Sequence, residues 1–314
     1  MLTLISIIIP CWNEEKFIGK CLDSILEQDY PKDKIEVLVI DGMSEDKTRE
    51  IIKEYSEKYP FVKLLENPQK FTPFALNIGI KNAKGEVILR IDAHAGYEKD
   101  YVSKCVKYLQ EYNADNVGGV MKTLPREKTI AARAIALCLS HSFGVGGSQF
   151  RRGIDKPKWV DTVFNGCYKR DVFDKVGLFN ENLIRSQDME FNLRLKKAGG
   201  KILLHPEIVS YYYYPKSNLK DFFLHNIKDG IWAILPLKFV RIPLKLRHYI
   251  PLIFVLTLPL SIWPYILLSL FFSLEIAIRE KDFRLFFIMP LAFGTRHIGY
   301  GLGSVWGIVK LFRS

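Results

Sequence analysis

Four places in the chain hold residue types and spacings that can do chemistry. Asp92-Ala93-His94 follows a short apolar run, and a carboxylate and an imidazole two residues apart can point at one cation where a strand turns. Such a pair suits Mn²⁺ or Mg²⁺ bridging a diphosphate, with Mn²⁺ favoured by the nitrogen ligand; taken alone it also reads as a turn cap beside a packed histidine. Asp41 closes Val37-Leu38-Val39-Ile40 and can accept hydrogen bonds from a base or ribose, or simply occupy an Asp-Gly turn. Glu14 and Glu15 open a helix, where the helix dipole accounts for them as well as a ligand does. Asp188, after Gln187, stands in the first turn of a later helix, as a general base or as ordinary dipole compensation.

These residues share a setting. Leu4 to Ile9 reads as a strand and Asn13 to Gln28 as a helix through Phe17, Ile18, Cys21, Leu22, Ile25 and Leu26. The pattern repeats with a strand at Ile35 to Ile40, a helix at Glu45 to Tyr59 capped by Ser44, a strand at Val62 to Leu65, a helix at Phe74 to Ala83 and a strand at Glu86 to Ile91. This alternation predicts an α/β domain with a mostly parallel sheet covered on both faces, and ligands bind beyond the carboxyl ends of such strands. Glu14, Asp41 and Asp92/His94 all fall at those ends. Further on, Gly144 to Lys158 reads as a mobile Gly-rich basic loop, Trp159 to Asn165 as a strand, Asp171 to Val176 and Ser186 to Ala198 as helices, and Lys201 to Leu204 and Glu207 to Tyr214 as strands.

The 314 residues carry a net charge of +11 and 48% apolar residues, which excludes a disordered chain. From Ile231 onward ten basic residues face three acidic ones, beside long apolar runs. That asymmetry points to a membrane surface, and the absence of an aromatic-interleaved basic stripe argues against nucleic acid. Five scattered Cys with no C-x-x-C pair read as buried hydrophobes in a reducing compartment. Tyr249 to Leu274 is 26 residues without a charge, more than the roughly 20 that cross a bilayer as a helix. Leu285 to Val309 has the length of a second span but carries Arg296 and His297 near its middle, so a re-entrant or interfacial helix competes. Ile231 to His248, with Lys238, Arg241, Lys245 and Arg247 among apolar residues, reads as an amphipathic segment on an anionic leaflet. The expected organisation is a domain over 1–222, an interfacial segment over 223–248, and a membrane hairpin over 249–314 with spans near 249–274 and 285–309. The Lys/Arg distribution then keeps the large domain cytoplasmic, at the cell membrane.

Read together, Pro10-Cys11-Trp12-Asn13-Glu14-Glu15, Asp41-Gly42-Met43-Ser44-Glu45-Asp46-Lys47-Thr48, Asn77-x-Gly79 with Ala83-x-Gly85, Arg90-Ile91-Asp92-Ala93-His94 and Gln187-Asp188-x-Glu190-Phe191-Asn192-x-Arg194 resemble the family 2 glycosyltransferases with the GT-A fold. Gly144-Val145-Gly146-Gly147, Trp159 to Val163 and Tyr214-Pro215-Lys216 resemble the membrane-attached group typified by the succinoglycan-biosynthesis glycosyltransferase. The resemblance implies that Pro10, Trp12, Glu14, Asp41 and Asp92 hold a sugar nucleotide. Asp92 and His94 stand at the family's metal-binding D-x-D, and Asp188 at its catalytic base. His94 replaces the usual second Asp and Gln187 the common Glu before the base. The Gln-x-x-Arg-Trp pattern of processive synthases is absent near His225 to Trp232, which favours transfer of a single residue. The function implied is inverting sugar transfer, with Mn²⁺ or Mg²⁺, to a membrane-associated and lipid-linked saccharide acceptor in polysaccharide or glycoconjugate biosynthesis, with a polysaccharide assembly complex as a further partner. Transfer to polyprenyl phosphate, and a non-catalytic nucleotide-sensing partner of such a complex, are the alternatives.

Overall fold

A computed structural model describes residues 2–240 and 245–313. In chain order the elements are β1 (Ile5–Cys11), α1 (Ile18–Leu26), β2 (Ile35–Asp41), α2 (Thr48–Lys58), β3 (Val62–Glu66), α3 (Thr72–Asn82), β4 (Val87–Arg90), β5 (Ala95–Tyr97), α4 (Tyr101–Glu111) and β6 (Asn116–Pro125). Then come α5 (Ile130–Ser140), α6 (Ser142–Val145), α7 (Gln149–Arg152), β7 (Lys158–Trp159), β8 (Phe164–Lys169), α8 (Asp171–Val176), α9 (Gln187–Lys197), β9 (Ile202–Tyr214), α10 (Leu219–Ile234), α11 (Ile250–Leu256), α12 (Leu258–Arg279) and α13 (Arg284–Arg313). They form two compact units, Met1–Met121 with Gly153–Tyr212, and Lys122–Arg152 with Tyr213–Ser314.

The sheet of the first unit runs β3-β2-β1-β4-β8-β6-β9-β5, with β7 beside β9. β1 pairs in parallel with β2 and β4, and β2 with β3, as the strand–helix alternation requires. Beyond β4 the sheet turns antiparallel through β8, and β5 and β7 pair antiparallel to β9, so the whole is mixed. Ile5, Ile7 and Ile9 on one face of β1 and Ile8 on the other are all buried, which is why the strand is almost continuously apolar. Its exception, Ser6, donates to the buried Glu36 and accepts from the Gly85 amide at 2.7 Å. α1 contributes Ile18, Cys21, Leu22 and Ile25, one face at helical spacing. At Gly79 of α3 a Cβ would stand 2.6 Å from Ile8 Cγ2, so only glycine lets this helix lie directly on β1.

Two helix starts fall later than the residue pattern suggests. Asn13 is left-handed (φ 53°), and α1 begins only at Ile18. The Ser44 hydroxyl donates to Asp41 Oδ1 at 2.5 Å instead of capping a helix, and α2 begins at Thr48. The strand expected over Trp159 to Asn165 divides into β7 and β8, while the two late strands fuse into β9 across Pro206. Gly144 to Lys158 is not all loop, since it holds the end of α6, all of α7 and the first residue of β7.

The second unit is helical. The boundary expected at residue 222 falls inside α10, which packs along α13 in close backbone approach: a Cβ at Gly303 would meet the Ile227 carbonyl oxygen at 2.1 Å. The amphipathic segment therefore begins as part of this helical unit, and its Arg241 lies outside the described residues. Among the described residues one helix, α12, is long and apolar enough to cross a membrane, with a mean hydropathy of 1.7. α13 has the length but carries Arg296, which bonds Asn226 and lies 3.6 Å from Asp229 of α10.

Candidate active site

The loops after β1 and β2 are stitched together before any ligand arrives. The Asn13 amide donates to Ser44 Oγ (2.8 Å), Asn13 Oδ1 accepts from the Glu45 amide (2.9 Å), and the Glu14 amide donates to Thr48 Oγ1 (2.7 Å). These bonds fix Trp12, half exposed, and Glu14 at the mouth of a cavity of about 270 Å³ at the carboxyl ends of β1 and β4. Pro10, Trp12, Glu14, Asp92 and His94 all line it, with Asn67, Lys70, Phe71, Thr72 and Arg90.

Asp41 is fully buried and is not among the lining residues. Its carboxylate accepts from the Ser44 amide (3.0 Å), the Ser44 hydroxyl and Arg49 Nη1 (3.2 Å), an arrangement that shapes the loop behind the cavity. Asn67, Lys70, Phe71 and Thr72 were not found from the sequence. The signal available was the turn Asn67-Pro68-Gln69-Lys70 just past a strand end. Lys70 is held left-handed (φ 64°), its amide donating to the Asn67 carbonyl at 3.0 Å.

Past β4 the chain turns on Tyr97. The Asp92 amide donates to its hydroxyl oxygen (2.9 Å), Asn165 Nδ2 donates to the same oxygen (2.7 Å), and the hydroxyl donates to the Asp92 carbonyl (3.2 Å). The Asp92 side chain, 17% exposed, engages Arg90 Nη2 through Oδ1 at 3.1 Å. His94 is fully engaged: Nδ1 lies 3.0 Å from Glu14 Oε1 and Nε2 lies 3.1 Å from the Tyr212 hydroxyl. Asp92 and His94, expected as paired metal ligands, thus stand together at the cavity, with both imidazole nitrogens hydrogen-bonded to the protein. Among the described residues no three His, Cys, Asp or Glu side chains converge as a metal set. Asp92 alone fits a cation that draws its remaining ligands from phosphate and water, the usual way Mg²⁺ is held.

α9 is anchored by the polar residues of its own motif. Glu190 pairs with Arg194 (2.7 Å to Nε), Arg194 donates to the carbonyls of Val176 and Leu178, and buried Asn192 bonds Asn116 and Thr162. Asn77 of α3 closes the approach to α9 by bonding Phe179 through both its carbonyl and its amide, with Glu181 as a further acceptor. So fixed, the first turn carries Asp188, whose Oδ1 accepts from the adjacent Met189 amide at 2.9 Å. Arg90 brings Asp188 and Asp92 into one electrostatic setting. Burial works against its charge, yet the two carboxylates outweigh that and raise its proton affinity above the ordinary guanidinium value. The sequence marked Arg90 as part of a motif without giving it this role.

The sequence profile described as Glycosyl transferase family 2 matches residues 6–177. The chain belongs to that family. It is 31% identical to the dolichyl N-acetyl-α-D-glucosaminyl phosphate 3-β-D-2,3-diacetamido-2,3-dideoxy-β-D-glucuronosyltransferase of Methanococcus voltae, over 98% of both chains. The succinoglycan biosynthesis protein ExoA of Rhizobium meliloti is 29% identical over 74% of both chains. Among solved structures, the mannosyltransferase PcManGT of Pyrobaculum calidifontis, in complex with GDP-Man and Mn²⁺, superposes with a TM-score of 0.68 at 20% identity, covering 98% of this chain and 88% of that one. That likeness establishes the GT-A fold. In this family 2 glycosyltransferase, Arg90 pairs with Asp92 and also feels the charge of Asp188.

Proposed function

We propose that this glycosyltransferase moves one sugar residue, with inversion, from a nucleotide-sugar donor to a lipid-linked saccharide acceptor at a membrane. The observation that carries the reading is the cavity from Pro10 to His94, lined by Arg90 paired with Asp92. In this reading Pro10, Trp12 and Glu14 border the nucleoside, with Asp41 holding the loop behind it, and Lys70 and Arg90 carry positive charge toward the diphosphate. Asp92 would hold Mn²⁺ or Mg²⁺, which supplies charge neutralisation for the leaving diphosphate. Asp188 takes the proton of the acceptor hydroxyl as its oxygen bonds the anomeric carbon. The bond from that carbon to the diphosphate oxygen breaks, and the nucleoside diphosphate leaves. A carboxylate as base needs no partner of its own here, which agrees with Asp188 making one local hydrogen bond.

The exposed apolar side chains of α11 to α13 support membrane attachment, and the full-length similarity to a relative named for a dolichyl-phosphate-linked sugar supports a lipid-linked acceptor. The basic surplus of the carboxyl-terminal third supports a cytoplasmic placement of the sheet domain. Hydrolysis and transfer with a panel of sugar nucleotides, with and without Mn²⁺ and membrane lipid extract, test the reading beside Asp188→Asn. Release of one nucleoside diphosphate that falls by about 10²–10⁴-fold in the variant, with donor affinity retained, is expected. Donor binding without turnover by the unaltered chain under every acceptor condition would overturn it.

A further inference from the structure

We infer that α11 to α13 lie within one leaflet of the membrane and do not cross it, an inference that rests on the membrane attachment proposed above. The turn between α12 and α13 fixes the first point. Arg133, in the first turn of α5, donates to Asp282 Oδ2 (2.9 Å) and Glu280 Oε2 (3.0 Å) of that turn. Only five residues earlier the chain passes Arg126-Glu127-Lys128, all exposed. Five residues reach at most about 18 Å even when extended, well short of the ~30 Å of bilayer hydrocarbon. The turn therefore lies in water on the same face as the charged loop that enters α5, and the far-side placement of Arg279, Lys281 and Arg284 in a spanning hairpin is excluded.

The opposite sense, with the turn on this face and the other helix ends across the membrane, fails on charge. It would carry Lys238, Lys245 and Lys310 through the bilayer, and residues 231–274 and 283–314 contain no Asp or Glu. It would also set Arg296 near mid-bilayer, since Arg296 is about 18 Å from Arg284 and Lys310 about 39 Å from it along α13 at 1.5 Å per residue. Arg296 bonds Asn226, approaches Asp229 at 3.6 Å and lies over the Tyr300 ring, whose hydroxyl is 3.2 Å from His248 Nδ1. Arg296 and Tyr300, one turn apart on α13, thus have their polar groups met by α10 and by His248 inside the helical unit.

The apolar surface, by contrast, is lengthwise. Leu260, Trp263, Leu267, Phe271, Leu274 and Ile278 are exposed at steps of three or four along the whole of α12. With Ile266, Leu268 and Leu270 also exposed, α12 presents a broad apolar surface, and such a surface sinks about 5–10 Å into a leaflet. The occupant is one anionic lipid leaflet, matched by the basic residues at the helix ends.

The five native cysteines are buried, so single exposed reporters can be read against low background. Arg284→Cys, Lys310→Cys and the reference Lys53→Cys, each in the full chain in sealed native vesicles, are treated with a membrane-impermeant maleimide from either face. All three are expected to label from the same face and to lose labelling when only the opposite face is presented. Leu267→Cys is expected to resist the reagent until detergent is added. Labelling of Arg284→Cys or Lys310→Cys from the face opposite to Lys53→Cys overturns the inference and leaves membrane attachment standing. Recovery of the unaltered chain in the soluble fraction overturns the attachment itself.

Discussion

Replacing Arg90 by methionine removes the cation shared by Asp92 and Asp188 while keeping side-chain volume. Arg90 is 15% exposed and Asp92 17%, and their closest approach is 3.1 Å. With charge centres about 4 Å apart and an effective dielectric near 20, the attraction is about 4 kcal/mol before desolvation. Water reaches a sixth of each side chain, so the cost expected on losing one partner is about 2–3 kcal/mol, below the 3–5 of fully buried pairs. For a chain of this size that lowers Tm by about 3–5 °C. Chemical denaturation of Arg90→Met, Asp92→Asn and the double variant measures it. Arg90→Met should cost at least about 1 kcal/mol less in the Asp92→Asn background, because the unpaired carboxylate is then gone. A single variant within about 0.5 kcal/mol of the unaltered chain, or strict additivity in the double, would refute the shared-cation argument.

If His94 orients Glu14 through its hydrogen bonds and does not ligate the cation, His94→Gln weakens donor binding by about 5–10-fold, the worth of one such contact, and leaves the Mn²⁺ activation midpoint within about twofold. A tenfold rise in that midpoint would identify it as a ligand. His205 stacks on Tyr108 at 3.4 Å between ring centroids; burial lowers its pKa below the ordinary 6.5 despite Glu207 and Glu111 nearby. A folded pKa below the unfolded one means its contribution is complete above pH 6.5 and is lost as pH falls through the depressed value. Thermal melts of the unaltered chain should therefore decline more steeply below pH 6.5 than those of His205→Gln, and parallel curves would count against it.

Much of the sheet could be read in advance because its signals are local. The apolar runs of β1 and β2 and the Asp-Gly after β2 each announce themselves within ten residues. The stretch holding α4 and α5 went unread although Thr129 caps α5 through the Ala132 amide at 3.1 Å. The surroundings of His94 were out of reach for a different reason. Its partners are 80 and 118 residues away, and no spacing rule around Asp92 reveals that Glu14 and Tyr212 will take both ring nitrogens. Arg296 looked costly in an apolar stretch until Asn226 and Asp229 of α10 supplied its partners. Helix starts moved because Asn13 and Ser44 bond each other's loops in preference to their own helices.

Every residue lining the cavity lies between Pro10 and His94. A ribosome adding about 5–20 residues per second reaches Asp188 some 5–20 s after completing that set. In the proposed assignment, with the donor in the cavity and Asp188 as the base, the two halves of the reaction are separated in time during synthesis and in position along the coding sequence. Exchange of the segment after His94 between relatives would leave the lining side chains intact while replacing Asp188 and everything that follows it, so changes on the acceptor side can accumulate there without rewriting the donor cavity.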